Sequence, residues 1–502
     1  MTTPPSKAVD YLVVGAGASG MSFVDSLLAH ASTPVSVLLL DKREAPGGHW
    51  HDAYGWCRLH QPARNYGVES RKLEDETSHP ELRADRAEII SYYQTVLDGW
   101  VAKGHDVRFV GGASFDFGAG AYRSDGSSTA VDAKTIVDAR YTENDLPLFV
   151  PPRFEFDSAK IDLIPPNVLP SRDAATASRR KYVVLGAGKT GQDTMLYLKE
   201  VLNVPPTSIR WVMPTAPWIT ARDPPTPLKQ ITCMEYLSAA LDAHAAAGAT
   251  NDAVKTSEFL QRGFETLEAK GKIYRIDEDA TPTKFMDATL SSSEIETLRG
   301  MARDGDCIVK GNGRVASIGD DGMLTFADGA TMALPWADEE GGGVASTTYI
   351  HCTAGAFNFG SSATEPRLPV YANGAIRVQE LFQFPGFCFN GCIIGYLEAR
   401  KDLSLDQKNS LCELPPPPPS DAPPPPKLGA TSGGLGPLTH GHPLMVSLRN
   451  LRRWYGVEGM GEWLHGLRLF SLTMNGYSEE EGRKLIESNY QELVKIGAMD
   501  EE

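Results

Sequence analysis

The chain has 502 residues, 41% of them hydrophobic, and a formal net charge of −16. The length predicts about three structural units, and the apolar content excludes a disordered protein. Because no basic stripe offsets the acidic balance, we expect no nucleic-acid partner. No apolar run reaches the ~18 residues of a membrane span, and the polar N-terminus leaves no room for a signal peptide.

The seven cysteines include no Cys-x-x-Cys pair, the spacing typical of redox dithiols and zinc ribbons. We therefore expect reduced thiols and no metal centre. These features predict a cytoplasmic enzyme that acts on a small-molecule substrate. The sequence does not indicate its oligomeric state.

A dinucleotide-binding motif begins almost at once. Residues 10–14 predict a buried strand, residues 15–20 read Gly-Ala-Gly-Ala-Ser-Gly, and an apolar helix follows over 21–28. A second apolar strand over 35–40 ends on Asp41, at the spacing expected for a carboxylate that binds a ribose diol. The glycines allow a tight turn, the approach of a pyrophosphate and close helix–strand packing, in the order Gly15, Gly17 and Gly20.

The next stretch is dense in polar and aromatic residues. Gly47-Gly48-His49-Trp50 permits close backbone approach to a ligand. Residues 56–66 then carry His60, Gln61 and Arg64, and such loops beside a cofactor site are commonly functional. The alternative is a surface loop whose side chains only cap helices and turns.

The remainder of the first half predicts a helix and several strands. The helix covers residues 84–101, and a strand follows over 107–110. Two further strands, over 115–122 and 130–138, predict a small β-meander inserted in the nucleotide domain. Residues 141–180 have the composition of a connector.

The opening pattern then repeats. A strand over 181–185, the turn Gly-Ala-Gly-Lys-Thr-Gly over 186–191, a helix over 192–202 and a strand over 209–213 predict a second dinucleotide unit. No carboxylate follows its second strand, so the ribose contact typical of NAD is missing. Arg210 or Arg222 could instead meet a 2′-phosphate. The alternative is a retained fold with weakened or lost nucleotide binding.

The second half predicts helices over 230–247, 251–270 and 291–303, and a meander over 307–334. Residues 348–355 predict a strand that returns to the first sheet, and the glycine-rich segment 386–395 a second return near the cofactor. The proline-rich run 414–427 predicts an exposed linker. Helices follow over 440–498, with a capping box at Ser478. We expect residues 1–145 and 346–412 to form the first nucleotide domain, 175–345 the second, 413–438 the linker and 439–502 a helical segment.

These two motifs, with Gly-Gly-His-Trp after the first, resemble the flavoproteins with two dinucleotide-binding domains, and more narrowly the flavin-containing and Baeyer–Villiger monooxygenases. The resemblance covers residues 8 to about 400. It implies an α/β fold with two Rossmann-like domains, inserted meanders and a helical C-terminal extension. It implies FAD in the first unit and NADPH or NADH in the second, on Gly186, Gly188 and Gly191. The candidate FAD contacts are Gly15, Gly17, Ser19, Gly20, Asp41, Lys42, Gly48, His49, Trp50, Val110, Asn390 and Gly391.

The resemblance implies an NAD(P)H-dependent flavin monooxygenase acting on a lipophilic small molecule, with His60, Gln61 and Arg64 as catalytic groups at the flavin. The family signature F-x-G-x-x-x-H-x-x-x-Y/F-P is missing, and Asn390-Gly391 replaces a Gly-Asp found in many relatives. Two alternatives therefore stay open. One is an FAD-dependent oxidase, dehydrogenase or cyclase that does not use NAD(P)H. The other is a non-catalytic binding protein with a flavoprotein fold.

Overall fold

A computed structural model gives the structure of most of the chain. The residues that it describes are 8–74, 83–140, 146–172, 180–214, 216–224, 232–248, 256–305, 308–310, 313–338, 342–353, 368–381, 386–415, 438, 442–474 and 476–501. Most of the predicted proline-rich linker lies outside the described residues.

The first unit is built on a six-stranded sheet. From one edge to the other, its strands are Tyr371–Ala372, Ala375–Arg377, Ala133–Asp138, Val9–Val14, Ser36–Leu40 and Asp106–Val110. All neighbours pair in parallel except the pair at the first edge, which is antiparallel. The strands Val9–Val14 and Ser36–Leu40 are apolar because both faces of the sheet are covered, one by helices and the other by Phe115 and Tyr122 of the small sheet over residues 114–130.

The second unit has a five-stranded, wholly parallel sheet. Its strands, in spatial order, are Ile308–Lys310, Ile209–Met213, Lys181–Leu185, Thr347–His351 and Leu163–Ile164. In both sheets the strand before the glycine-rich turn has two neighbours of different origin. One is the next strand of the motif, and the other comes much later in the chain, Ala133–Asp138 in the first sheet and Thr347–His351 in the second. The predicted α/β class with two Rossmann-like units is therefore confirmed.

Three smaller sheets accompany these units. They contain Ser114–Asp116, Ala121–Ser124 and Ser127–Ala130; Ile273–Tyr274, Pro217–Ala221 and Lys284–Leu290; and Thr331–Met332, Leu324–Phe326, Val315–Ile318 and Glu155–Phe156. The first and last of these sheets hold the two predicted meanders.

The predicted strand over 115–122 is wrong. The Asp116 carboxylate accepts the backbone N–H groups of Gly118 and Ala119 at 2.9 and 3.0 Å, and this local turn ends the strand. The predicted strand over 130–138 is likewise two elements. Its second part, Ala133–Asp138, is a central strand of the first sheet and not part of the meander.

Two later strands also lie elsewhere than predicted. Ile308–Lys310 pairs with Ile209–Met213 in the second sheet and is not part of a meander. Thr347–His351 pairs with Lys181–Leu185, so it completes the second sheet and does not return to the first. The strand that re-enters the first sheet is Ala375–Arg377. The boundaries of the predicted domains stay predictions.

Helices cover one face of each large sheet, small sheets cover the other, and further helices form the C-terminal region. Those in the described residues are Ala18–His30, Arg86–Ala102, Lys189–Glu200, Cys233–Ala246, Glu258–Ala269, Ser292–Gly305, Phe387–Ala399, Leu405–Ser410, Pro443–Gly456, Met460–Gly466, Ser471–Met474 and Glu479–Lys495. None of these described helices combines the length and apolar composition that crossing a bilayer requires. We call Ala18–His30 the first-unit helix and Lys189–Glu200 the second-unit helix.

The C-terminal helices do not form a core of their own. Their buried residues belong to the same hydrophobic cluster as the first sheet, which extends from Tyr11 to Met499. On the outside of this cluster the Trp463 ring stacks on Tyr396, with ring centroids 3.6 Å apart. The predicted helical segment thus completes the core of the first unit.

Candidate dinucleotide sites

The first glycine-rich turn has the geometry that its sequence predicts. Gly15 has a φ of +110°, a conformation that side chains disfavour. A Cβ on Gly20 would lie 1.9 Å from the carbonyl oxygen of Gly15, so only glycine fits there. Gly17 immediately precedes the first-unit helix, and that helix has no acidic residue in its first turn. Its free N–H groups therefore favour an anion.

A cavity opens at this turn, at the carboxyl ends of the central strands. Its lining brings together seven of the predicted contacts: Gly15, Gly17, Ser19, Asp41, Lys42, Gly48 and His49. Arg43 and Arg140 add positive charge to the wall, and Phe115 adds an apolar surface. An adenosine diphosphate group would find an apolar wall, cations and helix N–H groups here.

Asp41 is buried at the base of this cavity. Its Oδ2 accepts the N–H of Ala16 at 2.7 Å, and its Oδ1 accepts the N–H of Arg43 at 2.9 Å. An ionised carboxylate has about four acceptor positions, so Asp41 retains capacity for two ribose hydroxyls. The carboxylate thus fixes the shape of the glycine-rich turn while it faces the cavity.

The Gly-Gly-His-Trp segment lies against the turn. The N–H of Gly47 donates to the carbonyl of Ala16 at 2.9 Å, and a Cβ on Gly48 would come within 2.7 Å of the Gly17 Cα atom. Burial and the nearby Arg43 lower the pKa of His49 to about 4, so its imidazole is neutral at pH 7.

Trp50 and Val110 lie beside the cavity rather than in its wall. The Trp50 indole is buried, and its Nε1–H donates to the Tyr66 hydroxyl at 2.7 Å. Val110 ends the edge strand, and its carbonyl accepts the N–H of Asp41 at 3.2 Å. Both residues support groups that line the site.

Asn390 and Gly391 have structural contacts away from the cavity lining. The segment that carries them, predicted as a return to the first sheet near the cofactor, is the helix Phe387–Ala399. Gly391 permits close packing, because a Cβ there would lie 2.3 Å from the backbone oxygen of Ser19 in the first-unit helix. The Asn390 side-chain oxygen accepts the N–H of Leu381 at 3.1 Å.

His60 lies where the first unit meets the second, since its carbonyl accepts an N–H of Arg222 at 2.9 Å, whereas the carbonyl of Arg64 accepts from Arg468 of the C-terminal region. His60 Nδ1 is buried without a hydrogen-bond partner among the described residues. Burial, followed by the charges of Lys189, Arg222 and Arg83, lowers the pKa of His60 to about 3, so the ring is neutral. The half-buried Gln61 lies next to it in the chain.

The second glycine-rich turn repeats the geometry of the first. Gly186 has a φ of +120°, and a Cβ on Gly191 would lie 2.1 Å from the carbonyl oxygen of Gly186. A Cβ on Gly188 would meet nothing within 4 Å. The buried strand end at Met213 supplies no carboxylate. Backbone for a pyrophosphate is present, whereas the acidic ribose ligand is not.

The two arginines considered for a 2′-phosphate have other positions. Arg210 lies on the second strand with its guanidinium 5.6 Å from the Trp336 ring centroid. Arg222 is 7% exposed, forms an ion pair with Glu294 at 2.8 Å and donates to the carbonyl of His60 at 2.9 Å. Neither arginine supports a preference for NADPH.

A clamp that the sequence does not indicate joins the first unit to the C-terminal region. The Arg468 guanidinium donates to the carbonyls of Arg64, Tyr66 and Val68, the last at 2.7 Å. The Glu69 carboxylate in return accepts the N–H groups of Arg468 and Leu469 at 2.7 and 3.2 Å. This clamp fixes the loop that holds Tyr66 and, through it, Trp50.

The fold and the two turns define a protein with two dinucleotide-binding Rossmann units. A family model described as an NAD(P)-binding Rossmann-like domain matches residues 13–67. The uncharacterized protein Rv2000 of Mycobacterium tuberculosis is 30% identical over 488 residues, which cover 93% of this chain and 79% of that protein. The uncharacterized protein Mb2023 of Mycobacterium bovis gives the same values. This chain belongs to the family of these mycobacterial proteins.

Solved structures with a similar arrangement are flavin monooxygenases. A flavin-containing monooxygenase from Stenotrophomonas maltophilia is 14% identical, with a TM-score of 0.42 and coverage of 79% of this chain and 98% of that one. OTEMO in complex with FAD and NADP is 15% identical, with a TM-score of 0.47 and coverage of 79% and 84%.

Proposed function

We propose that the protein is an FAD-dependent oxidoreductase, and specifically an NAD(P)H-dependent flavin monooxygenase that acts on a lipophilic small molecule. One observation carries the proposal. Two glycine-rich turns of matching geometry lie in one chain, and only the first has a buried carboxylate at the end of its second strand. This difference between the turns fits a tightly held dinucleotide at the first turn and an exchanging dinucleotide at the second.

The first site fits the adenosine diphosphate half of FAD. Asp41 would bind the ribose hydroxyls, and the N–H groups at the start of the first-unit helix would bind the pyrophosphate. Gly17 and Gly48 leave their backbones accessible because neither carries a side chain. The segment from His49 to Trp50, followed by the His60–Arg64 loop, would then lie along the flavin.

Bound FAD would supply the redox chemistry, accepting a hydride from a reduced nicotinamide and passing electrons to O₂. The chain would supply position and polarity. The Tyr66 hydroxyl keeps the Trp50 indole in place, and the Arg468 clamp keeps Tyr66 in place. Neutral His60 and the Gln61 amide would offer uncharged hydrogen-bonding groups to the substrate, without the cost of burying another charge.

The main alternative is an FAD-dependent oxidase, dehydrogenase or cyclase that does not use NAD(P)H. It is favoured by the missing carboxylate after Met213 and by the engagement of Arg222 with Glu294. In that case the second unit would keep its fold without binding a nucleotide.

An anaerobic titration of the purified protein separates these functions. We expect bound FAD, visible as a flavin absorption spectrum, and its rapid bleaching by NADPH or NADH. A flavin that stays oxidised with both nucleotides, but is reduced or turned over by a candidate substrate, would support the alternative. A protein that cannot be loaded with FAD would overturn both. Cytoplasmic location and a small-molecule substrate remain parts of the proposal.

A further inference from the structure

Lys189 occupies an electrostatically unfavourable position in the second glycine-rich turn. It is the first residue of the second-unit helix, where the helix dipole and free N–H groups already give a partial positive charge. The first turn of that helix contains no acidic residue. The equivalent residue of the first glycine-rich turn is the uncharged Ala18. A lysine at this point concentrates positive charge where the turn would receive phosphate groups.

Two buried side chains near Lys189, those of Gln192 and His60, each have one polar atom without a hydrogen-bond partner among the described residues. Gln192 is fully buried, and its Nε2 donates to the carbonyl of Ala187 in the turn at 3.0 Å, while its Oε1 has no partner among the described residues. His60 Nδ1 is in the same condition, and the charge of Lys189 contributes to lowering the pKa of His60. Buried groups in this state normally bind water or a ligand.

Asp193 holds the Lys189 ammonium one helical turn away. Both side chains are largely buried, with exposures of 20% and 15%. The other oxygen of Asp193 accepts the Tyr54 hydroxyl at 2.7 Å, and Tyr54 belongs to the first unit. Burial and the Asp193 carboxylate raise the pKa of Tyr54 above its ordinary value, so the hydroxyl stays a donor. If Lys189 turned away, Asp193 would still have a partner.

We propose that Lys189 binds the pyrophosphate of the nicotinamide dinucleotide, leaving Asp193 to Tyr54 when the nucleotide arrives. The proposal rests on the NAD(P)H-dependent function stated above. It adds a phosphate ligand to the second turn in the form of a lysine, which binds phosphates as a mobile point charge. It also links the arrival of the nucleotide to a first-unit residue, Tyr54.

The test compares Lys189→Ala with Lys199→Ala in the FAD-loaded protein. Lys199 is an exposed lysine on the same helix, so its replacement is a matched control for the loss of one charge. Binding of NAD⁺, NADP⁺ and ADP-ribose is measured by calorimetry, since none of these probes reduces the flavin. Thermal melting and flavin content verify that both variants fold.

We expect Lys189→Ala to lower the affinity for all three probes by about 10-fold or more, which corresponds to the loss of one charge-assisted hydrogen bond. Lys199→Ala should change the same affinities by less than about 2-fold. We expect Tyr54→Phe to weaken them less than Lys189→Ala does, because the lysine remains.

Unchanged binding to Lys189→Ala would overturn this proposal alone. Weakening of NADP⁺ only would also overturn it, because the lysine would then contact the 2′-phosphate. A wild-type protein that holds FAD but binds none of the three probes would remove the NAD(P)H part of the proposed function together with this inference.

Discussion

The two Rossmann units share a backbone and differ in the side chains placed on it. Their glycine-rich turns agree in positive φ at the first glycine and in the contact that forbids a Cβ at the third. The first unit adds a buried carboxylate at Asp41 and uncharged Ala18, whereas the second has Met213 and Lys189 at the same places. The glycines therefore determine where a dinucleotide can lie, and the residues around them distinguish the two turns.

The largest effects are expected where the units are alike. Gly20→Ala and Gly191→Ala would each push a Cβ to within 1.9 or 2.1 Å of a backbone oxygen. We expect each to lower the free energy of unfolding by about 3 kcal/mol, as overpacking does, or to prevent folding. Urea denaturation would measure this, with Gly456→Ala, where a Cβ meets nothing within 4 Å, as the control. Equal stability of all three variants would contradict the shared geometry.

Substitutions at the second glycine of each turn should have different effects in the two units. Gly17→Val would place a side chain in the pyrophosphate position of the first turn, and we expect it to abolish flavin retention. Gly188→Val should instead leave flavin content unchanged and abolish nicotinamide nucleotide binding. Absorption spectra after gel filtration measure the flavin content, and calorimetry measures nicotinamide nucleotide binding. Full flavin occupancy in Gly17→Val would show that the first turn is not the flavin site.

Asp41→Asn tests the residue that distinguishes the first unit most. The amide oxygen can still accept the N–H of Ala16, but the second acceptor oxygen becomes a donor. We expect flavin affinity to fall by about 10- to 100-fold, the value of one to two hydrogen bonds to a charged group. Dissociation of flavin during dialysis, followed by fluorescence, would detect it. A variant that retains flavin like the wild type would leave Asp41 as a structural residue only.

The Arg468 clamp exists on the first unit alone. Arg468→Lys replaces a guanidinium that reaches three carbonyls with a single ammonium, so we expect a loss of about 2 kcal/mol of stability. Flavin fluorescence should also change, because the loop that orders Trp50 loosens. Arg123→Lys, at an exposed position, serves as the control. An unchanged flavin spectrum together with lower stability would limit the clamp to a structural role.

Both units should share a pH dependence of stability. Burial lowers the pKa of His49 to about 4, of His60 to about 3 and of His351 to about 4. The unfolded chain therefore binds more protons than the folded chain below the ordinary pKa of 6.5. Stability should fall as pH decreases through 6.5 towards 4, by up to about 2 kcal/mol per histidine at pH 5. In His60→Gln the fall should be shallower, as urea denaturation at pH 7 and pH 5 would show; an equal slope would contradict burial of the neutral ring.

Much of the fold could be predicted because its signals are local. The two glycine-rich turns and the flanking apolar strands follow from short spacings, and the capping box at Ser478 begins the helix Glu479–Lys495 as expected. The third glycine of each turn is constrained by a contact with the first glycine, five residues earlier in the chain. Such constraints are readable in one sequence.

The rest depends on contacts between distant residues. An apolar strand such as Thr347–His351 fits either parallel sheet, so its sequence cannot say which one it completes. The lack of a side chain at Gly391, a predicted cofactor contact, permits a close packing of helices that the local sequence does not indicate. Arg468 and Glu69 are separated by about 400 residues, and nothing in either local sequence indicates their pairing. His60 and Arg222 lie close together only after the two units have met.

The shared core of the first sheet and the C-terminal helices has a consequence for synthesis on the ribosome. The first-unit helix packs on Phe387–Ala399, and Arg468 holds the loop that contains Val68. The first part of the chain to be synthesised therefore cannot complete its packing until the last part has been made. Until then its apolar surface stays exposed, a state prone to aggregation. The sheet of the second unit has a separate cluster, from Ile164 to Cys352, and can close earlier, whereas the helices Cys233–Ala246 and Glu258–Ala269 share the cluster of the first unit. A nascent chain released before the last helix should therefore carry a folded second sheet beside an unfinished first unit.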